Sequence, residues 1–237
     1  MRLAEQTWTD VDGRTRLACL PVGSTEQHGP HAPLGTDAIT AEAVAEAGAD
    51  AHEGDVLVAP AIPVGIAEEH RAFAGTLWVS EDAFRRYVRE VIESLAHHGV
   101  DRVVAVNGHG GNVAALREVC ARITRDGTAC AAPFTWFDAV ETDLPMGHGG
   151  ARETALLRHL VPDLVQEERV EAAREEGSER WGEWVAGVNV AYDSDEFTDS
   201  GAVGDPGAGT AADGEAMLAE AAAGLADLLA VLERRGT

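Results

Sequence analysis

An α/β fold, with a mainly parallel central sheet covered by helices on both faces, is what the first half of this chain predicts. Three times within residues 1–125 a short apolar run opens into a loop and then into a helical pattern, the succession produced by parallel strands joined through helical crossovers. The runs LACLPV (Leu17–Val22), DVLVAPAIP (around Val56–Ile62) and RVVAV (Arg102–Val106) have the length and composition of buried strands. Right-handed connections follow from the general handedness of such crossovers.

In chain order, Leu17–Val22 is the first strand, and it leads into PVGSTEQHGPHAPLGTD (Pro21–Asp37). The Ala- and Glu-rich segment 38–51, free of proline, is predicted as a helix with Thr36 or Asp37 at its N-terminal end. After the second strand comes the loop GIAEEHRAFAGT. Ser80 has the character of an N-cap, because Glu81 and Asp82 follow where the helix dipole favours acidic groups. Phe84, Val88, Val91, Ile92 and Leu95 recur at helical spacing, so 81–98 is predicted as an amphipathic helix ending at Gly99. Arg102–Val106 then opens into NGHGGN (Asn107–Asn112) and a helix over 113–125. A fourth strand is expected over 130–137, and MGHGGARETALLRHL feeds a further helix. The acidic stretch 170–200, with Trp181, Trp184 and Tyr192, is expected as an irregular excursion forming a pocket wall or a subunit contact. A turn-rich loop, 201–210, precedes a terminal helix over 211–235.

A chain of 237 residues suffices for one domain with a well-buried core, and no composition shift divides it, so 1–237 is expected to be a single domain. No apolar run approaches the roughly 18 residues of a membrane span, and the acidic, polar N-terminal segment is unlike a secretory signal. A cytoplasmic location without a membrane partner is expected. Acidic residues number 41 against 18 basic ones, a net charge of −23, and every basic residue is Arg. That balance argues against a nucleic-acid partner. Self-repulsion at this density opposes a compact state in dilute buffer, whereas molar salt screens it over about 3 Å. The composition therefore points to a high-salt cytosol, as in salt-loving archaea, against the plainer alternative of an acidic mesophilic surface. Cys19, Cys120 and Cys130 are odd in number and lack CxxC spacing, which suits small core residues better than a disulfide framework or a zinc–thiolate site.

The chemistry concentrates in three loops: EQHGPH with TD, NGHGGN, and GHGGARET. Glu26, His28, His31 and Asp37 place four potential ligands within twelve positions. Carboxylates and imidazoles without thiolates suit Zn, Mn or Fe(II), and an aspartate can bridge two ions. Two metals about 3.5 to 4 Å apart would activate water and polarise a carbonyl.

Taken together, EQHGPHAPLGTD, EEHRAFAGTLW, NGHGGN and HGGARET resemble the creatininase (creatinine amidohydrolase) family over most of residues 17–210. The resemblance implies a three-layer α/β/α sandwich, usually assembled as a homo-oligomeric hexamer, with two divalent metals at the C-terminal edge of the sheet. Carried over, the family's pattern makes Glu26 and His109 ligands of one metal, His28 a ligand of the other, and Asp37 the bridge. Creatininase itself has a glutamate ligand two residues beyond the histidine of the NGHGGN-type loop, where this chain has Gly111. Glu153 is the candidate to replace it, or else acts as a base or holds another ligand. His148 matches the histidine that passes a proton to the leaving nitrogen. His31 is expected behind the ligands, and the pair His97 and His98 at a helix end is read as structural. Glu69 and His70 either line the pocket or form a surface salt bridge.

The activity implied is hydrolysis of a non-peptide amide or formamide C–N bond in a small molecule. The missing carboxylate at Gly111 counts against creatinine. Two other branches of the family carry the NGHGGN form. One deformylates a formylamino-pyrimidine ribonucleotide (2-amino-5-formylamino-6-ribosylaminopyrimidin-4(3H)-one 5'-monophosphate) on the way to riboflavin and the deazaflavin cofactor; the other trims a peptide in mycofactocin maturation. The lysine-free acidic composition favours the deformylase, for which Arg71, Arg102 and Arg152 are the candidate phosphate partners. GDPGAGT resembles the peptidase branch. The alternative of another class is a non-catalytic metal-binding protein.

Overall fold

Four apolar runs form the central sheet: β1 (Leu17–Val22), β2 (Leu57–Val58), β3 (Arg102–Asn107) and β4 (Cys130–Thr135). They lie in the order β2-β1-β3-β4, and every neighbouring pair is parallel. The protein is described here by a computed structural model over residues 1–235. Parallel strands cannot be closed by tight turns, so the chain returns through helices. These are α1 (Trp8–Val11), α2 (Thr36–Ala51), α3 (Glu81–His97), α4 (Val113–Arg125), α5 (Ala151–Leu160), α6 (Val170–Glu175) and α7 (Ala211–Arg234).

Alternation of side chains along the two central strands divides the helices into layers. Val104 and Val106 of β3, with Leu17 and Cys19 of β1, face Val44 of α2, Leu156 of α5 and Leu225 and Leu229 of α7. Val103 and Ala105, with Leu20 and Val22, face Phe84, Val88 and Ile92 of α3 and Leu116 and Ile123 of α4. The result is the expected three-layer α/β/α sandwich. The three cysteines are buried and unpaired, as expected of core residues.

Several boundaries differ from expectation. β2 is two residues long because Pro60 and Pro63 lack the N–H that a ladder requires. The chain nevertheless stays alongside β1, with Ala59 N donating to Cys19 O at 2.9 Å and Ile62 N to Pro21 O at 3.0 Å. Helix α2 starts at Thr36, so Asp37 lies inside its first turn. β4 stops at Thr135, where Trp136–Asp138 winds into a 3-10 turn that buries the indole. Ser80 caps α3 as expected, accepting from Ala83 N, and Thr210 caps α7 with Asp213 in a reciprocal box. The excursion 170–200 holds α6 and a hairpin of two short antiparallel strands, β5 (Trp184–Val185) and β6 (Val188–Asn189). Among the described residues no helix is long and apolar enough to cross a membrane.

Most ion pairs are solvent-exposed, such as Arg86–Glu90 and Arg89–Glu93, and exposed pairs contribute little. The acidic excess is thus a net repulsion that salt screens. Raising KCl from about 0.1 M to about 2 M is expected to raise Tm by at least about 5 °C. A Tm that stayed level or fell in a calorimetric titration would refute this.

Candidate metal centre

The expected residues meet where the strands end. β1 runs out at Val22, and four residues later the chain presents Glu26, Gln27 and His28; β3 ends at Asn107, and His109 follows. Asp37 occupies the first turn of α2 and Glu153 the first turn of α5, positions where the helix N-terminus stabilises a carboxylate. The C-terminal edge of a parallel sheet is where such loops converge. Glu26 and His28 are 0% exposed, and Asp37, His70 and His109 are buried with them.

Asp37 lies between two imidazoles. Its Oδ1 is 3.0 Å from His28 Nε2, and its Oδ2 is 3.2 Å from His109 Nδ1. His109 Nδ1 is also 3.1 Å from Glu26 Oε1, and His28 Nε2 is 3.7 Å from Glu153 Oε1. Donor atoms bound at about 2.1 Å to one ion stand roughly 3.0 to 3.4 Å apart, so the spacings around Asp37 and Glu26 suit a coordination shell, while the 3.7 Å separation of His28 and Glu153 is somewhat wider. The unpaired atoms agree. Both Glu26 oxygens and Asp37 Oδ2 are buried without a hydrogen-bond partner among the described residues. A buried carboxylate oxygen left in that state is costly, and a divalent cation would satisfy it. Among the described residues three groups could hold such an ion: Glu26, His28 and Asp37; His28, His148 and Glu153; and Glu26, His70 and His148.

Electrostatics carry the same demand. Burial alone would lower the His28 pKa, but Asp37 and Glu153 outweigh it and carry it well above the ordinary value. His109 behaves alike, with Glu26 and Asp37 overcoming burial. Burial also opposes ionisation of Asp37, yet the adjacent His28 and His109 hold its carboxyl below the usual range. His148 shifts the other way, lowered by burial and then by His28.

The remaining residues sort clearly. Glu153 uses Oε2 to accept Gly149 N at 2.6 Å, leaving Oε1 towards His28. His31 is buried but stands apart, bonded through Nε2 to Thr154 Oγ1 at 2.9 Å, and burial pushes it down to about 4. Both Glu69 and His70 line the cleft, and His70 Nε2 reaches Glu26 Oε1 at 3.4 Å. Burial holds the Glu69 carboxyl above its ordinary value. Gly111 admits no side chain, since a Cβ there would run into Ile66 O and His109 Nε2 and lie 3.2 Å from Glu69 Oε1.

Sequence reasoning missed Gln27, Asn107 and Asn112. Asn107 bonds both His109 N and His109 O, and Asn112 ties Ile66 N to Gly23 O, so the two asparagines lock three loops together. Asparagine at both ends of NGHGGN was the available signal.

A cavity of ≈ 350 Å³ opens over these groups, walled by carboxylates and imidazoles on one side and by Phe137, Met146 and Trp181 on the other. No arginine is among its lining residues. The larger cavity, ≈ 630 Å³ beside α1 and α3, is remote from this chemistry. Of the arginines near the motif loops, Arg102 sits at the start of β3, the opposite edge, holding Leu232 O and Arg235 O. Arg152 donates to Leu144 O and Phe137 O, and Arg71 pairs with Asp193 and Glu68.

The elevated His28 and His109 imidazoles hold protons in the ion-free protein, a contribution to stability present below about pH 6.5 and lost as pH rises through the folded-state values. A cation must displace those protons. Zn(II) or Mn(II) affinity is therefore expected to rise with pH by about tenfold per unit for each proton released, through about pH 6.5 and up to the raised folded-state values, and to level off above them. Calorimetry in buffers of different ionisation heat measures the release, and a pH-independent affinity would remove Glu26, Asp37 and the two imidazoles as the site.

A family profile described as creatininase, creatinine amidohydrolase, matches residues 4–229. A mycofactocin precursor peptide peptidase of Mycolicibacterium smegmatis is 35% identical over 95% of this chain and 89% of its own length. The one from Mycobacterium tuberculosis is 37% identical over 92% of this chain and 86% of its own. Creatinine amidohydrolase of Pseudomonas putida is 29% identical over 71% of this chain and 75% of its own. Among solved structures, a manganese creatininase superposes with a TM-score of 0.82 over 99% of both chains at 24% identity, a likeness of fold. The chain belongs to the creatininase family, hydrolases acting on carbon–nitrogen bonds.

Proposed function

We propose that this protein hydrolyses an amide C–N bond of a peptide substrate, the activity named for its mycobacterial relatives. The observation that carries the reading is the cavity wall, which offers carboxylates, imidazoles and aromatic surface but no arginine to clamp a phosphate. A neutral or positively charged amide suits such a wall, whereas a phosphorylated one meets negative charge without a clamp. This weighs against the formylamino-pyrimidine ribonucleotide expected from composition, because Arg71, Arg102 and Arg152 are committed elsewhere. Creatinine is less favoured for want of a carboxylate at Gly111. A purely structural metal is less favoured as well, since structural sites are closed cages and this one opens onto a cleft.

In this reading Glu26 and His109 would hold one divalent ion and His28 and Glu153 a second, with Asp37 between the two sets. Fe(II), Zn(II) and Mn(II) all fit a carboxylate–imidazole set. Bound there, such ions supply Lewis-acid polarisation of the carbonyl and a water acidic enough to attack it. The chain supplies the rest. His148 donates Nε2–H to Gln27 O at 2.6 Å, which leaves Nδ1, 3.8 Å from Glu26 Oε1, as the nitrogen that takes up a proton and delivers it to the departing amine. Its lowered pKa keeps it neutral at rest and ready to accept. Phe137, Met146 and Trp181 give the cleft an apolar wall against which the substrate's side chains can pack. A homo-oligomer working at high ionic strength completes the proposal.

Three assays in molar KCl test it: cleavage of a mycofactocin precursor peptide by mass spectrometry, formate release from the formylamino-pyrimidine ribonucleotide, and creatinine hydrolysis. Peptide cleavage alone is expected; formate release without peptide cleavage would overturn the reading. His148→Gln is expected to lower kcat by about 10²–10⁴ with metal content unchanged. Retention of full kcat would remove His148 from proton transfer.

A further inference from the structure

Between the two candidate ligands Glu26 and His28 lies Gln27, whose side chain is buried and hydrogen-bonded on all sides. Its Oε1 accepts the Gly29 N–H at 2.9 Å, and its Nε2 donates to Gly201 O at 3.0 Å. Both partners are backbone groups of fixed character, so the amide has only one orientation. His148 Nε2 also stands 3.1 Å from Gln27 Nε2, but it carries the hydrogen donated to Gln27 O at 2.6 Å and cannot accept, so the second hydrogen on Gln27 Nε2 points to His70 Nδ1 at 2.7 Å. An imidazole nitrogen addressed by a donor must carry its lone pair, and the neutral ring keeps its proton on Nε2. That nitrogen is the one 3.4 Å from Glu26 Oε1, near enough for its hydrogen to face the carboxylate electrostatically although the two make no hydrogen bond and the oxygen keeps its lone pairs for a cation. Ser194 Oγ, 3.4 Å from His70 Nδ1, donates instead to Glu69 O at 2.9 Å and does not compete.

We propose that Gln27 is a positioning residue that fixes His70 as the Nε2–H tautomer, and that His70 thereby turns an N–H towards Glu26 and orients its carboxylate for a cation. The inference rests on Glu26 being a ligand. The surroundings are built to hold this arrangement. Gly201 has φ +82°, and a Cβ there would overlap Gln27 Oε1, so the backbone can come close enough to accept from the amide only as glycine. The His70 ring stacks on His148 with centroids 4.4 Å apart and meets the edge of Trp181 at 5.5 Å, which sets its plane. Glutamate at position 27 would have no hydrogen to give. It would draw the imidazole proton to Nδ1 and turn a bare Nε2 lone pair towards the Glu26 carboxylate. Partners standing behind a metal ligand in this way typically change metal affinity 10- to 100-fold.

The test uses the full-length, metal-free protein labelled with ¹⁵N-histidine. Long-range ¹H–¹⁵N correlation spectra separate the two tautomers, and His70→Asn assigns the signal by its loss. The wild-type protein is expected to show His70 as Nε2–H. Gln27→Glu is expected to show Nδ1–H or a doubly protonated ring, together with about 10- to 100-fold weaker Zn(II) binding by calorimetry. Gln27→Met, which fills the space without donating, should give mixed tautomers and a smaller loss. Finding His70 as Nδ1–H in the wild type would overturn the assignment whether or not any variant folds. Wild-type tautomer and affinity in a folded Gln27→Glu protein would overturn it equally. No substrate enters these measurements, so they are decided separately from the peptide reading.

Discussion

Two buried carboxylates with unpaired oxygens, Glu26 and Asp37, make the demand that the rest of the site answers. Removing such groups from water costs several kcal/mol each unless opposite charge and hydrogen bonds repay it. Repayment comes from three directions. The first turn of α2 offers its N-terminal dipole to Asp37, the imidazoles of His28 and His109 close in to 3.0–3.2 Å, and the geometry leaves a cation to finish the compensation. In the ion-free chain, protons drawn onto His28 and His109 stand in for that cation.

The fold supplies what this arrangement requires, which is rigid delivery of side chains from distant parts of the chain to one point. β1 and β3 are adjacent and in register, Val22 beside Asn107, so Glu26 and His109 leave neighbouring strand ends. The side-chain amides of Asn107 and Asn112 then stitch the loops, replacing the regular ladder that stops there. The net charge of −23 acts over a longer range. A negative field of this kind concentrates divalent cations at an acidic cleft.

The layer architecture was legible in the sequence because its cause is local: apolar runs of strand length alternating with helical periodicity. So were Glu26, His28, Asp37, His109, His148 and Glu153 as a group that meets, since residue types of that density at strand ends have few other uses. Less local features were not. The early stop of β2 depends on where Pro60 and Pro63 fall in the ladder, and the surroundings of His70 depend on a segment more than a hundred residues away, where Trp181 and Ser194 come against its ring. Gln27 carries no charge and no metal-ligand chemistry, so nothing in its type marks it; its role exists only through Gly29, His70 and Gly201 together.

Gly111 shows how a residue that looks like a loss can be a consequence of packing. As a missing side chain it suggests an emptied ligand position. In three dimensions His109 donates Nε2–H to Ile66 O at 2.6 Å, and this bond is what leaves Nδ1 free to face Glu26 and Asp37. The loop bearing Ile66 must therefore press against residue 111, where any Cβ would strike that same carbonyl and the imidazole. Orientation of His109 through Ile66 and a side chain at 111 are mutually exclusive in this backbone. The carboxylates within reach of this point come from other elements, Glu153 from α5 and Glu69 from the loop beside Ile66.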